Sequence, residues 1–290
     1  MADKGRSHRP FAVVLAGGGA RGYAHAGVLR ALEHHGFFPS AIVGVSMGAI
    51  VGATYAARDD WFDALLAVDL SGFPHPVLLE AGTGGVGPTV RHAVELVETA
   101  WNMVVGWGAP DSVVESARAA LRTLLGDTDL EGGRVPVTVC ATELRTGARV
   151  QLRSGPAREA VYASAALAGL FPPAERDGML LADGAYTDVA PVDVAHAMGV
   201  PVVVAVDPGD NPGLPEIHNG LQALLQAMEI LQMRHSDLRI GEADFVLRPV
   251  FSHPIDVLDF GERQRCAAAG VRIVRGHLGE LRTLLEDHGT

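Results

Sequence analysis

The chain has 290 residues, of which 48% are hydrophobic and 20% are charged, and this balance is typical of one folded domain rather than of a disordered chain. Its formal net charge of −11 argues against nucleic acid as a partner and against strong adhesion to anionic lipid, because both require clustered Lys and Arg. The two cysteines, Cys140 and Cys266, are far apart in sequence and supply neither a disulfide framework nor a zinc site.

The elements predicted from hydrophobic periodicity alternate between short apolar strands and longer helices. Predicted strands cover residues 11–16, 41–45, 135–141, 150–153, 179–182, 201–206 and 243–250. Predicted helices cover residues 22–35, 47–57, 61–68, 89–105, 112–125, 156–167, 191–198, 218–239 and 261–286. Several of these strands are apolar on both faces, which is typical of a parallel sheet covered by helices. The sequence therefore predicts an α/β domain with a mostly parallel central sheet.

One stretch interrupts the alternation. Residues 71–108 contain proline, several glycines, two of the three tryptophans and the predicted helix 89–105. The apolar spacing of that helix suits packing on the core or a lid over a site, and the sequence leaves both open. We predict that residues 1–290 form a single domain with a cap or insertion at 71–130.

No targeting or membrane-spanning segment is expected. The first ten residues are polar, the apolar run that follows is too short for a signal peptide, and no stretch reaches the roughly 18 apolar residues of a spanning helix. We therefore expect a cytoplasmic protein, with room for a transient contact at a membrane surface. No residue pattern indicates a metal ion or another cofactor, and the oligomeric state is left open.

Three consecutive glycines, Gly17, Gly18 and Gly19, follow the first predicted strand, and their loop ends at Gly22, where a helix begins. Such a loop presents backbone amides, and the helix adds partial positive charge, so it can hold a phosphate or a developing oxyanion. A dinucleotide site would need an acidic residue at the end of the second strand, which instead ends at Ser46, and the lysine of a P-loop is missing. An ordinary tight turn is the alternative.

The run Gly44-Val45-Ser46-Met47-Gly48 lies between the second predicted strand and its helix. A serine in a Gly-x-Ser-x-Gly turn of this kind is the nucleophile of many hydrolases, since the sharp turn holds the hydroxyl clear of the chain. Two consecutive strand–helix units with right-handed crossovers bring both loops to the same edge of the sheet. The glycine-loop amides are therefore expected beside the serine, as an oxyanion hole beside a nucleophile.

A candidate base follows the predicted strand 179–182, in the run Asp183-Gly184-Ala185. A serine hydroxyl is a poor nucleophile without a base, and an unperturbed aspartate, with a pKa of about 3.9, is weak for that task. We therefore expect apolar burial to raise the pKa of Asp183. The alternatives are a plain Asp-Gly turn and a second candidate base, Asp207.

The runs LAGGGARGYAHAGVLRALEHHG, IVGVSMGAIVGATYAA and LLADGAYTDVAPV together resemble the bacterial patatin-like phospholipases, over residues 11–58 and 134–208. This resemblance implies a three-layer α/β/α fold and a Ser–Asp dyad without a catalytic histidine. It also implies a phospholipase A- or lysophospholipase-like enzyme that cleaves carboxylic esters of lipids through an acyl-enzyme.

Carried over to this chain, the resemblance makes Ser46 the nucleophile and Asp183 the base. The amides of the three consecutive glycines become the oxyanion donors, and the basic position of the loop keeps an open role. The residues of the implied oxyanion hole are Gly17, Gly18, Gly19, Arg21 and Gly22. The residues that support the motifs are Gly44, Met47, Gly48, Gly184 and Ala185.

Two places depart from the family pattern. Ala166 and Ala168 stand where the family often has a second serine and a proline, and Asp188 and Val189 stand where it often has two asparagines. Neither change touches the dyad, and we expect both to bear on the shape of the acyl pocket.

Three alternatives stay open. A Ser–Asp–His triad would need one of the histidines after the aspartate, which are His196, His218, His235, His253 and His277. An acyltransferase would use the same acyl-enzyme with an alcohol or thiol as acceptor. A lipid-binding or regulatory protein would have kept the fold and lost the activity, and the intact Ser46, Asp183 and glycine loop argue against it.

Overall fold

The computed structural model describes residues 8–69, 111–209, 217 and 220–286, so the predicted helix 89–105 and much of the predicted cap lie outside the described residues. The strands are β1 Phe11–Leu15, β2 Ala41–Val45, β3 Val137–Glu143, β4 Arg149–Leu152, β5 Ala174–Arg176, β6 Met179–Asp183, β7 Val202–Val206 and β8 Phe245–Leu247. The helices are α1 Tyr23–His34, α2 Met47–Ala57, α3 Trp61–Ala67, α4 Asp111–Leu125, α5 Ala157–Ala165, α6 Val192–His196, α7 Gly220–Arg239, α8 Arg263–Gly276 and α9 Leu278–Leu285.

The strands form one sheet in the order β5-β6-β3-β2-β1-β7-β8, with β4 paired to β3. The five strands β3, β2, β1, β7 and β8 are parallel, which confirms the predicted mostly parallel sheet. β4 and β6 run antiparallel to β3, and β5 runs antiparallel to β6. β5 was not predicted from the sequence, because three residues are too few for a period to be visible.

The meeting of β2 and β6 along β3 decides where the site lies. Val45 at the end of β2 pairs with Cys140 of β3, and Asp183 at the end of β6 pairs with the next residue, Ala141. The pairing of β4 with β3 overlaps the pairings of both β2 and β6 with β3. β4 therefore lies along one edge of β3, and β2 and β6 lie end to end along the other edge. The two strands therefore approach each other head-on, which makes the residue after β2 a neighbour of the last residue of β6.

Helices cover both faces of the sheet. Alternate side chains of β1, Phe11, Val13 and Leu15, join the larger core under α1, α2, α3, α4, α5, α8 and α9. The intervening residues Ala12 and Val14 join a smaller core under α6. The arrangement is the three-layer α/β/α sandwich that the family resemblance implies.

Two helical regions differ from their expected form. α4 falls within the predicted cap at 71–130, and its apolar side belongs to the larger core beside α2 and α5. The predicted helix 261–286 is divided into α8 and α9 at His277, directly after Gly276, because glycine weakens a helix. Within the described ranges, no helix has the length and apolarity needed to cross a bilayer.

Candidate active site

Ser46 occupies a strained turn between β2 and α2. Its backbone has a φ of 53° and a ψ of −121°, a conformation that residues with a side chain rarely adopt. The turn is crowded, because a Cβ added to Gly48 would overlap the carbonyl oxygen of Leu15, and one added to Gly44 would lie 2.7 Å from the first turn of α2. The turn therefore has the form of a nucleophile elbow, with glycine at the two positions where strand and helix come closest.

Asp183 is the hydrogen-bond partner of this serine. The Ser46 hydroxyl donates to Oδ2 of Asp183 over 2.6 Å, and the Ala185 amide donates to Oδ1 over 2.9 Å. Gly184 lies directly on β3, where a Cβ would overlap the Cys140 carbonyl. The structure thus brings the two predicted catalytic residues together, and the Ala185 amide orients the carboxylate toward the serine.

The environment of Asp183 makes it a stronger base than an exposed aspartate. Its side chain is almost fully buried, and burial raises the pKa of Asp183 from 3.8 to about 6, while hydrogen bonds from Ser46 and Ala185 hold it down. A general base is most effective when its pKa lies close to the working pH. At neutral pH the carboxylate is therefore ionised and still basic enough to accept the serine proton.

Ser164, at the end of α5, fixes the backbone of Ser46. The Ser46 amide donates to the Ser164 hydroxyl over 2.9 Å, and that hydroxyl donates to the Cys140 carbonyl over 2.6 Å. Ser164 is completely buried. Ser164 was not predicted from the sequence to belong to the site, since its partner lies 118 residues earlier in the chain.

Replacing Ser164 with alanine should lower kcat for a soluble p-nitrophenyl ester by about tenfold to a hundredfold, with little change in KM, because the nucleophile loses its orientation. Two buried polar groups would lose their partner, which should also lower the free energy of unfolding by about 1–3 kcal/mol. Ser116→Ala on the exposed side of α4 is the matched control. An unchanged kcat for Ser164→Ala would show that the elbow holds its shape without this bond.

The glycine loop is anchored at both ends. Hydrogen bonds run from the Gly17 amide to the Val189 carbonyl (3.1 Å), from the Ala20 amide to the Val257 carbonyl (2.8 Å) and from the His25 Nε2 to the Ala16 carbonyl (2.8 Å). The Gly17 amide is therefore already occupied, which corrects its predicted role as an oxyanion donor. Gly18 and Gly19 line the cavity beside Ser46, and their amides have no acceptor in the described part of the chain.

The two other residues assigned to the oxyanion hole have different surroundings. Arg21 is buried and forms an ion pair with Glu229 of α7, which ties the glycine loop to that helix. Gly22 lies against Met47, whose side chain a Cβ at this position would overlap. Arg21 therefore has a partner on α7, and Gly22 allows α1 to start against the elbow.

The described histidines do not line the cavity at the dyad. His218 lies outside the described residues. Three of the others have partners elsewhere: His196 contacts the Glu242 carbonyl (3.0 Å), His253 contacts Glu262 (3.2 Å) and His277 contacts Glu280 (2.9 Å). Within the described part of the chain, the serine therefore has an aspartate and no histidine as its partner.

Asp207, the second candidate base, is committed to other groups. Its Oδ1 accepts from the Gly209 amide over 2.9 Å, and its Oδ2 accepts from the Ser236 hydroxyl over 3.0 Å. It therefore links the end of β7 to α7, and Asp183 is the carboxylate that meets Ser46.

An apolar cavity opens from the dyad. Ser46, Asp183, Gly18 and Gly19 lie at its wall, and helices α2, α4, α5 and α7 contribute side chains to it. Its apolar lining includes Ile50, Leu121, Leu124, Leu167, Phe171 and Met228. A cavity of this composition favours a hydrocarbon chain, with its polar end at the serine.

The departures from the family pattern do not line this cavity, which corrects their expected effect on an acyl pocket. The four positions are Ala166, Ala168, Asp188 and Val189. Asp188 accepts a hydrogen bond from Arg149 over 2.6 Å, and the Val189 carbonyl accepts the Gly17 amide. The second pair therefore supports the loop behind the site.

Comparison with known proteins places this geometry in a family. The family model described as patatin-like phospholipase matches residues 13–196. An uncharacterised NTE family protein of Mycobacterium tuberculosis is 33% identical over 204 residues, which cover 70% of this chain and 50% of that protein. Lysophospholipase nte1 of Aspergillus fumigatus is 32% identical over 211 residues, which cover 72% of this chain and 13% of that protein.

Among solved structures, VipD of Legionella pneumophila aligns with 94% of this chain and 67% of its own, at 14% identity and a TM-score of 0.48. The chain spans half the length or less of the two curated relatives described above. The matched region of the family model contains the glycine loop, the Ser46 elbow and Asp183. This chain belongs to the patatin-like phospholipase family.

Proposed function

We propose that this chain is a serine acyl hydrolase that cleaves carboxylic ester bonds of lipids through an acyl-enzyme on Ser46, with Asp183 as the base. The observation that carries the proposal is the 2.6 Å hydrogen bond between the Ser46 hydroxyl and the buried Asp183 carboxylate at the wall of an apolar cavity. The names of relatives support the substrate class, since the Aspergillus protein is called a lysophospholipase.

In the acylation step, the Ser46 oxygen attacks the ester carbonyl while its proton passes to Asp183. The amides of Gly18 and Gly19 stabilise the oxyanion, and each such donor is typically worth about 3–4 kcal/mol of barrier. The tetrahedral intermediate collapses, the bond to the alcohol breaks, and Asp183 returns the proton to the leaving oxygen. Water, deprotonated by the same carboxylate, then releases the fatty acid and restores the serine.

The surroundings of the dyad favour lipid esters over small polar ones. The cavity wall is mostly apolar, and α4 and α5 contribute side chains to it beside those of Ser46 and Asp183. An acyl chain placed there would remain out of water while its carbonyl carbon lies at Ser46. We also propose that the activity resembles that of a phospholipase A or a lysophospholipase.

Covalent labelling tests the proposal directly. A fluorophosphonate with an alkyl chain should react with the wild-type protein, with loss of fluoride and formation of a phosphorus–oxygen bond at Ser46, located by peptide mass analysis. Fatty acid release from a lysophospholipid and from p-nitrophenyl esters of increasing chain length should accompany labelling. A folded protein that neither labels nor releases fatty acid would overturn the proposal and favour a binding role.

The pH dependence of turnover should follow Asp183. Because the base must be ionised and burial raises the pKa of Asp183 to about 6, kcat/KM for a soluble ester should fall about tenfold per unit of pH below 6 and reach a plateau above it. A pH–rate profile at fixed ionic strength measures this directly. A profile without any inflection between pH 3 and 7 would argue against Asp183 as the base, and one with its inflection near pH 4 would argue against the raised pKa of Asp183.

A further inference from the structure

Helix α7 has one face inside the site. Met228, Glu229 and Gln232 line the cavity, and Glu229 pairs with the buried Arg21 of the glycine loop. Ser236, on the same side of the helix, donates a hydrogen bond to Asp207 over 3.0 Å. This inner face is therefore fixed against the site, and the outer face of the same helix points away from it.

The outer face of α7 carries a row of exposed leucines. Leu224, Leu231 and Leu238 are spaced by seven residues, so they follow one side of the helix, and they are 53%, 70% and 80% exposed. Scattered single hydrophobic residues are normal on a surface, but a row along a helix that also lines the cavity is the kind of patch that marks a binding surface. We refer to these three residues as the leucine row.

Charges around the leucine row favour a lipid surface as its partner. Arg234 lies three residues after Leu231, so it borders the row, where its long basic side chain can reach phosphate groups. The acidic residues of the helix are paired, Glu229 with Arg21 inside the site and Asp237 with Arg248 over 3.0 Å. Arg234 is therefore the basic group that borders the row, although the whole chain is acidic.

A second copy of the chain fits the leucine row less well. Paired helices need two apolar positions in each heptad, so that the side chains form a seam. On α7 the leucines fill only one of the two positions in each heptad. Met228 lines the cavity, and Arg234 lies between Leu231 and Leu238, so neither residue completes an apolar seam. The pattern suits partial insertion into the boundary between lipid head groups and acyl chains.

We infer that the outer face of α7 docks on a lipid surface and holds the cavity mouth against it. Docking itself does not depend on the proposed chemistry. Only the claim that the docked surface supplies the lipid substrate rests on the proposed function. Because the docking is mainly apolar and the chain carries a net charge of −11, binding should not require anionic lipid.

Vesicle co-sedimentation of the Ser46→Ala protein tests docking without turnover, so its result is independent of the proposed function. The protein should bind neutral phosphatidylcholine vesicles, and Leu231→Gln with Leu238→Gln should weaken binding by on the order of tenfold per leucine. Phe38→Gln is the matched control, because Phe38 is a 42% exposed apolar residue just before β2, at the opposite end of that strand from Ser46. In the active protein, the leucine variants should retain hydrolysis of a soluble short-chain ester and lose hydrolysis of vesicle lipid.

Three outcomes would overturn the inference. Wild-type affinity in the leucine double variant would show that the row does not touch lipid. A dimer in solution that the same variant dissociates, without vesicle binding, would assign the row to a second copy. A large loss of thermal stability in the variant, again without vesicle binding, would show that another part of this chain covers the row.

Discussion

Alanine in place of Ser46 should lower turnover of an acyl ester by on the order of 10⁴- to 10⁶-fold, because the reaction loses the atom that forms the acyl-enzyme. The neighbouring hydroxyl cannot substitute, since Ser164 donates its proton to the Cys140 carbonyl over 2.6 Å. The variant should still hydrolyse the ester faster than the uncatalysed reaction in water, because the oxyanion donors and substrate binding remain. The fold should survive, because alanine meets the same backbone demand at a φ of 53° as serine does.

The measurement is kcat for a soluble p-nitrophenyl ester, made beside fluorophosphonate labelling of the same samples. Ser116→Ala removes an exposed hydroxyl of α4 and should leave both readouts at the wild-type level. Circular dichroism confirms that the Ser46→Ala protein is folded. Turnover in Ser46→Ala within tenfold of wild type would move the nucleophile elsewhere, and labelling at another serine would identify it.

The turn at Ser46 could be predicted from the sequence because every feature that makes it is local. The strand run, the two glycines around Ser46 and the following helix are contiguous, and the strained turn follows from that order. The glycine loop is equally local, since it directly follows β1. The parallel pairing of β1 with β2 then brings the two loops to one edge of the sheet, as the crossover rule predicts.

The rest of the site depends on contacts that no local pattern encodes. Asp183 was expected at a strand end, but β6 runs antiparallel to β3 and reaches the serine head-on with β2. Ser164 is a buried helix residue whose role appears only when α5 packs under the elbow. The Gly17 amide was expected to be free, and only the return of the chain near Val189 shows that it is used.

Activity and stability make opposite demands on Asp183. As a base it must be ionised and buried, and burial of an ionised carboxylate is unfavourable. Its two hydrogen bonds, from Ser46 and Ala185, compensate only in part, because the pKa still rises to about 6. The site therefore lowers the stability of the fold at neutral pH, and the effect should disappear in a variant that cannot ionise.

Asparagine in place of Asp183 should lower kcat by about 10²- to 10⁴-fold, since the hydroxyl of Ser46 would no longer have a base. The same variant should be more stable than wild type by about 3 kcal/mol at neutral pH, from a pKa difference of roughly two units between folded and unfolded chains. The sign follows from proton binding. The folded chain holds the Asp183 proton up to a higher pH than the unfolded chain, so wild-type stability falls as the pH rises from about 4 through about 6.

Denaturant unfolding of wild type and Asp183→Asn at several pH values checks this prediction. The advantage of the variant should be absent near pH 3.5, grow between about pH 4 and 6 and stay constant above 7, whereas Glu175→Gln, which removes an exposed carboxylate of neighbouring β5, should show no such trend. Loss of activity without a gain in stability would mean that the asparagine amide, which faces Ser46 as a donor, destabilises the fold as much as the buried carboxylate charge does. Gain in stability with full activity would remove Asp183 from the mechanism while leaving its burial as described.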